Sequence, residues 1–155
     1  MYENFGLLIG GRWQSASDRK IISVVSPVTE QHIGTIPAAT RDDIERTLVT
    51  CQQAGLEWRK TSAWSRASIL RHTADLIRSR IEEIAKIMST ETGKPLVEAK
   101  AEAGASADQF EWYSEEGKRA YGQIIPSRLT DERLSVVYQP VGPCLALSAW
   151  NFPLL

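Results

Sequence analysis

The chain has 155 residues, with 18 basic and 19 acidic side chains, a net charge of -1, 43% hydrophobic residues and 24% charged ones. Near-neutrality excludes a nucleic-acid binder, whose surface carries an excess of Lys and Arg, and the apolar content excludes a disordered chain. Surface scaling gives about 25,000 Å² for the unfolded chain and about 8,000 Å² for a compact one, enough burial for one domain with a core.

The amino terminus carries Glu3 and a short apolar stretch over 5–9. That is too short for a secretory signal, so a cytoplasmic protein is expected. Gly10-Gly11 marks a turn between short strands at 7–9 and 12–14, and a second strand pair is expected at 21–25 and 31–36. Thr40 reads as a helix N-cap, with Asp42 and Asp43 at the positive end of the helix dipole. Ile44, Leu48 and Cys51 then recur at helical spacing, and Gly55 is the expected stop. The clearest helix has Leu70, Ala74, Ile77, Ile81, Ile84 and Met88 on one face, at steps of 4, 3, 4, 3 and 4. Gly93 ends it, and Pro95 opens a helix running to Tyr121. There the face is small: Ala99, Ala103, Ala107, Phe110, Ser114 and Gly117. Such a helix should lie sandwiched between neighbours.

From 134 to 155 there are 22 residues without a charge. The length suits a membrane span, but Pro140, Pro143 and Pro153, with Ser135, Gln139, Ser148 and Asn151, argue against one. Two buried strands are expected instead, at 135–139 and 144–149. The second is apolar on both faces, as in a parallel sheet covered by helices. The run stops at Leu155 without a polar tail, so the chain is expected to be cut from a larger fold.

Few residues invite chemistry. Gly93-Lys94 lacks the P-loop spacing, and no Gly-x-Gly-x-x-Gly occurs. The acid pairs Asp42-Asp43, Glu82-Glu83, Glu115-Glu116 and Asp131-Glu132 diverge by about 100° on a helix and read as solvated surface. Cys51 and Cys144, far apart, read as free, buried thiols without a cation to activate them. His32 and His72 are isolated, so no metal site is expected. Asn151 stands out. It follows the carboxyl end of the apolar strand, where open α/β sheets bind ligands, and its amide offers two donors suited to an oxyanion. An Asn that merely satisfies a turn after a strand is an equal alternative.

Several short motifs, in order, resemble the aldehyde dehydrogenase superfamily over essentially the whole chain. They are Ile9-Gly10-Gly11-Arg12-Trp13, Ser26-Pro27-Val28-Thr29 and Gly34-Thr35-Ile36-Pro37, then Ile69-Leu70-Arg71, Ala74-Asp75-Leu76-Ile77 and Glu91-Thr92-Gly93-Lys94-Pro95. The most specific is Pro140-Val141-Gly142-Pro143 followed by Trp150-Asn151-Phe152-Pro153. The stretch from Trp112 through Gly117-Lys118-Arg119 to Tyr121-Gly122 is most similar to the succinate-semialdehyde dehydrogenase branch.

The resemblance implies an α/β protein, the amino-terminal part of the aldehyde dehydrogenase fold. Residues 1–122 belong to an incomplete Rossmann-type cofactor domain, with short strands and three helices. Residues 123–139 belong to an oligomerisation hairpin, and 140–155 begin the Rossmann-type sheet. Asn151 takes the role of oxyanion donor, while Leu147, Ser148, Trp150 and Asn151 border the cleft for NAD or NADP. Ala149 stands where the family commonly has Pro. Some members bind a monovalent cation near the positions of Val25 and Glu102, but no metal is expected here. The resemblance further implies a small aldehyde as substrate, succinate semialdehyde, and a homodimer or homotetramer, with no nucleic-acid or membrane partner. The nucleophilic Cys and the general-base Glu have no counterpart before Leu155, so the chain alone should be inactive. A different substrate branch, or a non-catalytic partner-binding chain derived from such an enzyme, are the alternatives.

Overall fold

The computed structural model describes residues 5–155; Glu3 lies outside the described residues. Strands β1 (Leu7–Ile9) and β2 (Arg12–Gln14) form an antiparallel hairpin in which Leu8 faces Trp13. Gly10 and Gly11 between them have φ of 62° and 75°, the left-handed pair that a tight hairpin turn needs and that glycine adopts without steric cost. A second antiparallel pair, β3 (Ile21–Val25) and β4 (His32–Pro37), follows as expected, one residue further along at its second strand.

Helix α1 (Arg41–Trp58) begins at the expected cap. The Thr40 side chain accepts from the Asp43 N–H while the Asp43 side chain takes the Thr40 N–H, a reciprocal capping box. Gly55 does not stop it; the helix runs three residues further. The single helix expected through Leu70 and Met88 is two, α2 (Ala63–Ser79) and α3 (Ile81–Thr92). They break at Arg80, with φ -116° and ψ 15°, whose guanidinium reaches forward to both carboxylate oxygens of Glu83 at 3.0 Å. A one-residue kink leaves the apolar spacing unbroken, so periodicity passes straight through it.

Helix α4 (Leu96–Glu116) packs against both α2 and α3. Of its small stripe, Ala99, Ala103, Ala107 and Ser114 are buried, as is Ser106 beside them, and Ala99 packs against Ala85 and Met88 of α3; Phe110 is only half-buried, and Gly117, past the end of the helix, is exposed. The helix ends before Tyr121, because the N–H groups of Lys118 and Arg119 turn back to Glu115 and Glu116 in a tighter i−3 pattern. The chain then forms a short antiparallel pair, β5 (Gln123–Ile125) and β6 (Leu134–Val136).

Several expectations fail, and for related reasons. The strand expected at 135–139 is reduced to β6, and that at 144–149 is not formed; its side chains lie exposed. A two-faced apolar strand needs neighbours along both edges and helices over both faces, and among the described residues nothing lies beside it. Cys144 is therefore exposed rather than buried. Cys51 is exposed too, because the face of α1 that it shares with Ile44 and Leu48 is uncovered. The expected single core is small: the chain exposes 12152 Å², well above the compact value, and its buried apolar residues are alanines and Met88. Asp43 is not solvated surface but fully buried, for reasons given below. The other acid pairs are exposed or half-buried.

Candidate functional site

Gly93 closes α3 in the left-handed conformation, φ 76°, which an L side chain rarely adopts. The next residue, Lys94, donates its N–H to the Thr92 hydroxyl at 3.2 Å, and Pro95 then opens α4. Lys94 is thus held between two helix ends with its side chain largely buried. Its ammonium pairs with Glu102, two turns into α4, donates to the Asn151 carbonyl at 2.6 Å, and sits 4.1 Å from the centre of the Phe152 ring. The other oxygen of Glu102 accepts the Leu154 N–H at 3.0 Å. Burial acts to raise the Glu102 pKa, but the Lys94 ammonium and the Leu154 N–H outweigh it and hold the carboxyl below its ordinary value.

The segment so held is a turn. The Phe152 N–H donates to the Ala149 carbonyl at 3.1 Å, so the turn closes through its own backbone. The Asn151 amide makes no hydrogen bond to any described residue and is open to solvent. A turn-satisfying asparagine would use that amide on a neighbouring backbone group. This one leaves it free. An open groove of about 520 Å³ separates the turn from α4, bordered by Lys94, Glu98, Ala101, Glu102, Asn151 and Phe152.

Of the residues singled out in the sequence, Trp150 and Asn151 fall in this turn, and Leu147 and Ser148 lie just before it, all exposed. Leu147 is 84% and Trp150 88% exposed, so they form an open wall and not a closed cleft. Cys144 donates weakly to the Gly142 carbonyl at 3.5 Å and meets no base. Sequence reasoning met Lys94 only inside a motif and Glu102 only near a cation position of some family members, and did not pair them. The signal was present: Glu102 is an acid on the stripe of Ala99, Ala103 and Ser106, and an acid on a buried stripe requires a cation.

The buried Asp43 is a different arrangement. Its carboxylate accepts from the Ser17 hydroxyl at 2.5 Å and the Ser17 N–H at 3.0 Å, and from the Thr40 N–H at 2.9 Å and hydroxyl at 2.8 Å. Arg46 pairs with it from the next turn. The Ser17 bonds, then those from Thr40, hold its pKa far below the ordinary carboxylate value. The Ser17 bonds fasten α1 to the loop before β3, while those from Thr40 and Arg46 close the first turn of α1 itself. It is a structural pin.

A family model described as the aldehyde dehydrogenase family matches residues 13–155. Among curated relatives, 4-(hydroxymethyl)benzenesulfonate dehydrogenase TsaD1 of Comamonas testosteroni is 40% identical over 149 residues, 96% of this chain and 31% of that protein. Succinate-semialdehyde dehydrogenase (NADP(+)) GabD of Escherichia coli K12 is 38% identical over 146 residues, 94% of this chain and 30% of that protein. The crystal structure of succinate-semialdehyde dehydrogenase from Burkholderia pseudomallei superposes with a TM-score of 0.94 at 39% identity, covering 96% of this chain and 31% of that one. The α/β fold class is therefore that of these enzymes, in part, and the chain spans about a third of the length of the relatives it matches. On the match of residues 13–155, the chain belongs to the aldehyde dehydrogenase family.

Proposed function

We propose that the chain is the amino-terminal part of an NAD(P)-dependent aldehyde dehydrogenase that oxidises succinate semialdehyde to the carboxylic acid. In this reading residues 1–122 belong to the cofactor domain, 123–139 to an oligomerisation hairpin, and 140–155 to the first strand of the Rossmann-type sheet with its turn. The observation that carries it is the free amide of Asn151 on a turn whose backbone is fastened at Asn151 and Leu154. An aldehyde carbon attacked by a nucleophile leaves a negative oxygen, and a donor already fixed near it gains strength as that charge develops. Asn151 is that donor.

The residues before the turn suit a nicotinamide. Leu147 and Trp150 offer exposed apolar surface, while the Ser148 hydroxyl and Asn151 amide offer polar contacts beside it. The chemistry that NAD or NADP supplies when bound there is acceptance of a hydride. Leu147 and Trp150 would exclude water from that side of the ring, and Ser148 would orient its carboxamide. Either cofactor suits this wall; the Escherichia coli relative, named for NADP(+), favours NADP.

The oligomeric reading rests on β5, β6 and the residues just after them, where Ile124, Val137 and Tyr138 are exposed as a second subunit's interface would require. Two free cysteines suit a reducing, cytoplasmic setting. Among the described residues no helix is long and apolar enough to cross a membrane. Neither Cys51 nor Cys144 has a base beside it, so the chain alone lacks a competent nucleophile and should be inactive.

The test compares the purified chain with an enzyme in which it is continued to the length of its relatives. Each is given NAD or NADP with succinate semialdehyde or an aromatic aldehyde, and reduced nicotinamide is followed by absorbance. Turnover is expected from the continued enzyme only, with succinate semialdehyde preferred. Turnover by the chain alone would overturn its inactivity; a preference for the aromatic aldehyde would overturn the substrate.

A further inference from the structure

The ion pairs of the helical block mostly join exposed or half-buried side chains, as Arg80–Glu83 and Arg71–Glu111 do, where a pair holds little. Lys94–Glu102 is different because both partners are buried or nearly so. A buried pair is a poor device for stability, since apolar residues of similar volume serve as well. What distinguishes this one is where its remaining hydrogen bonds go. Lys94 donates to the Asn151 carbonyl and lies over the Phe152 ring, and Glu102 accepts from the Leu154 N–H. Three anchors thus fall within four residues, and none of them uses the Asn151 amide.

We propose that Lys94 and Glu102 are positioning residues, a charged clamp that fixes the backbone of residues 151–154 and so presents the Asn151 amide at a constant place. The inference rests on the oxyanion reading of Asn151 given above. The physical reason is the short range of a hydrogen bond. A donor displaced by about 1 Å at the reacting carbonyl can cost up to about 100-fold in rate. With its backbone fixed, the amide has only its own side-chain torsions left to set. Apolar packing holds the far end of this turn, where Leu154 lies against Ala85, Met88 and Ala99, but Trp150 and Phe152 are exposed, so the backbone at Asn151 itself depends on the charged pair.

The clamp is tested in the enzyme formed by this chain and its continuation. Lys94→Met should lower kcat about 10- to 100-fold, with KM for aldehyde and for cofactor unchanged within about twofold. Lys94→Arg, which keeps the cation, should restore most of the loss. In an Asn151→Ala background Lys94→Met should have no further effect, because the clamp acts through that amide. Hydrogen exchange measured by mass spectrometry should quicken in the peptide covering 150–155 and not elsewhere. Glu102→Gln, close to isosteric, repeats the cycle if Lys94→Met does not fold. Additive losses in the cycle, or unchanged kcat and exchange in Glu102→Gln, overturn the clamp while leaving Asn151 its role. An unchanged kcat in Asn151→Ala overturns both readings.

Discussion

In residues 63–116, Ala74, Ala85, Ala99, Ala103 and Ala107 are fully or almost fully buried, whereas in residues 134–155 the larger Val141, Leu145, Leu147 and Trp150 stand almost wholly exposed. The more hydrophobic region is the less buried one. Side-chain hydrophobicity sets how much is gained by burial but says nothing of what supplies the cover. In the helical block the cover is local. The small stripe of α4 admits α2 and α3 to close approach, and all three helices lie within one stretch of chain. The uncharged segment instead carries a pattern that only neighbouring strands and helices can satisfy. What holds its last residues is charge, through Lys94 and Glu102, together with the packing of Leu154 against Ala85, Met88 and Ala99.

The largest expected effect tests the one part of the open segment that is fixed. In the complete enzyme, Asn151→Ala should lower kcat by about 10²–10³, the usual loss for one oxyanion donor, with cofactor affinity little changed. Steady-state kinetics with chemistry rate-limiting measures it, and an unaltered kcat would return Asn151 to a structural turn. The next effect tests the closed region. Ala103→Leu inserts a branched side chain where Ala103 has no exposed surface. Overpacking of that kind costs about 1–3 kcal/mol. Amide exchange across α2, α3 and α4 should quicken by about 10- to 100-fold. Exchange at wild-type rates would mean that the helices are not packed as described.

How far the sequence disclosed this follows the same division. Thr40 as a cap, the Gly10-Gly11 turn and the small stripe were legible because each is decided by neighbours a few residues away. The kink at Arg80 was not, since Ile77 and Ile81 keep helical spacing across it. Burial of Asp43 was hidden because Ser17, which gives it two hydrogen bonds from 26 residues away, is linked to it only through the fold. The resemblance named Asn151, yet of the residues that secure its backbone Lys94 entered only as part of a motif, and Glu102 only as lying near a cation position of some family members, with no metal expected here. Pairing between residues eight apart, across a helix start, is invisible to periodicity. The strand at 144–149 failed for the opposite reason: its pattern is real, but its partners are not among the described residues.

A smaller effect concerns the pin of α1. The Asp43 pKa is depressed from its ordinary 3.8, so between the two values the unfolded chain binds a proton that the folded chain refuses. The contribution is therefore complete above that ordinary value and is lost as pH falls through the depressed one. A carbon NMR titration of the Asp43 carboxyl, read beside the Ser17 amide shift, should show both unchanged through pH values at which exposed carboxylates protonate. Below that range the Ser17 amide should shift together with the carboxyl, and Asp43→Asn should abolish that shift. A midpoint at the ordinary value would mean that Ser17 and Thr40 do not hold the carboxylate.

The smallest expected effect is the most direct test of the comparison, because it asks the same substitution two questions. Leu145 is 84% exposed, and neither face of its segment is covered by described residues. Replacing it by serine in this chain removes no buried contact, so the stability of the helical block should change by less than about 0.5 kcal/mol. The uncharged stretch has no gatekeeper charge to keep strand edges apart, so the same substitution should also reduce self-association, seen by size-exclusion chromatography. In the continued enzyme Leu145 would lie in the first strand of a covered sheet. There serine removes a buried side chain and leaves a hydroxyl in its place, at a cost of about 2 kcal/mol or more. A near-zero change in the chain and a large one in the enzyme would show that the pattern was correct and only the cover was elsewhere. Equal costs in both would place Leu145 in a core that residues 1–155 already build, and the contrast between the two regions would fall.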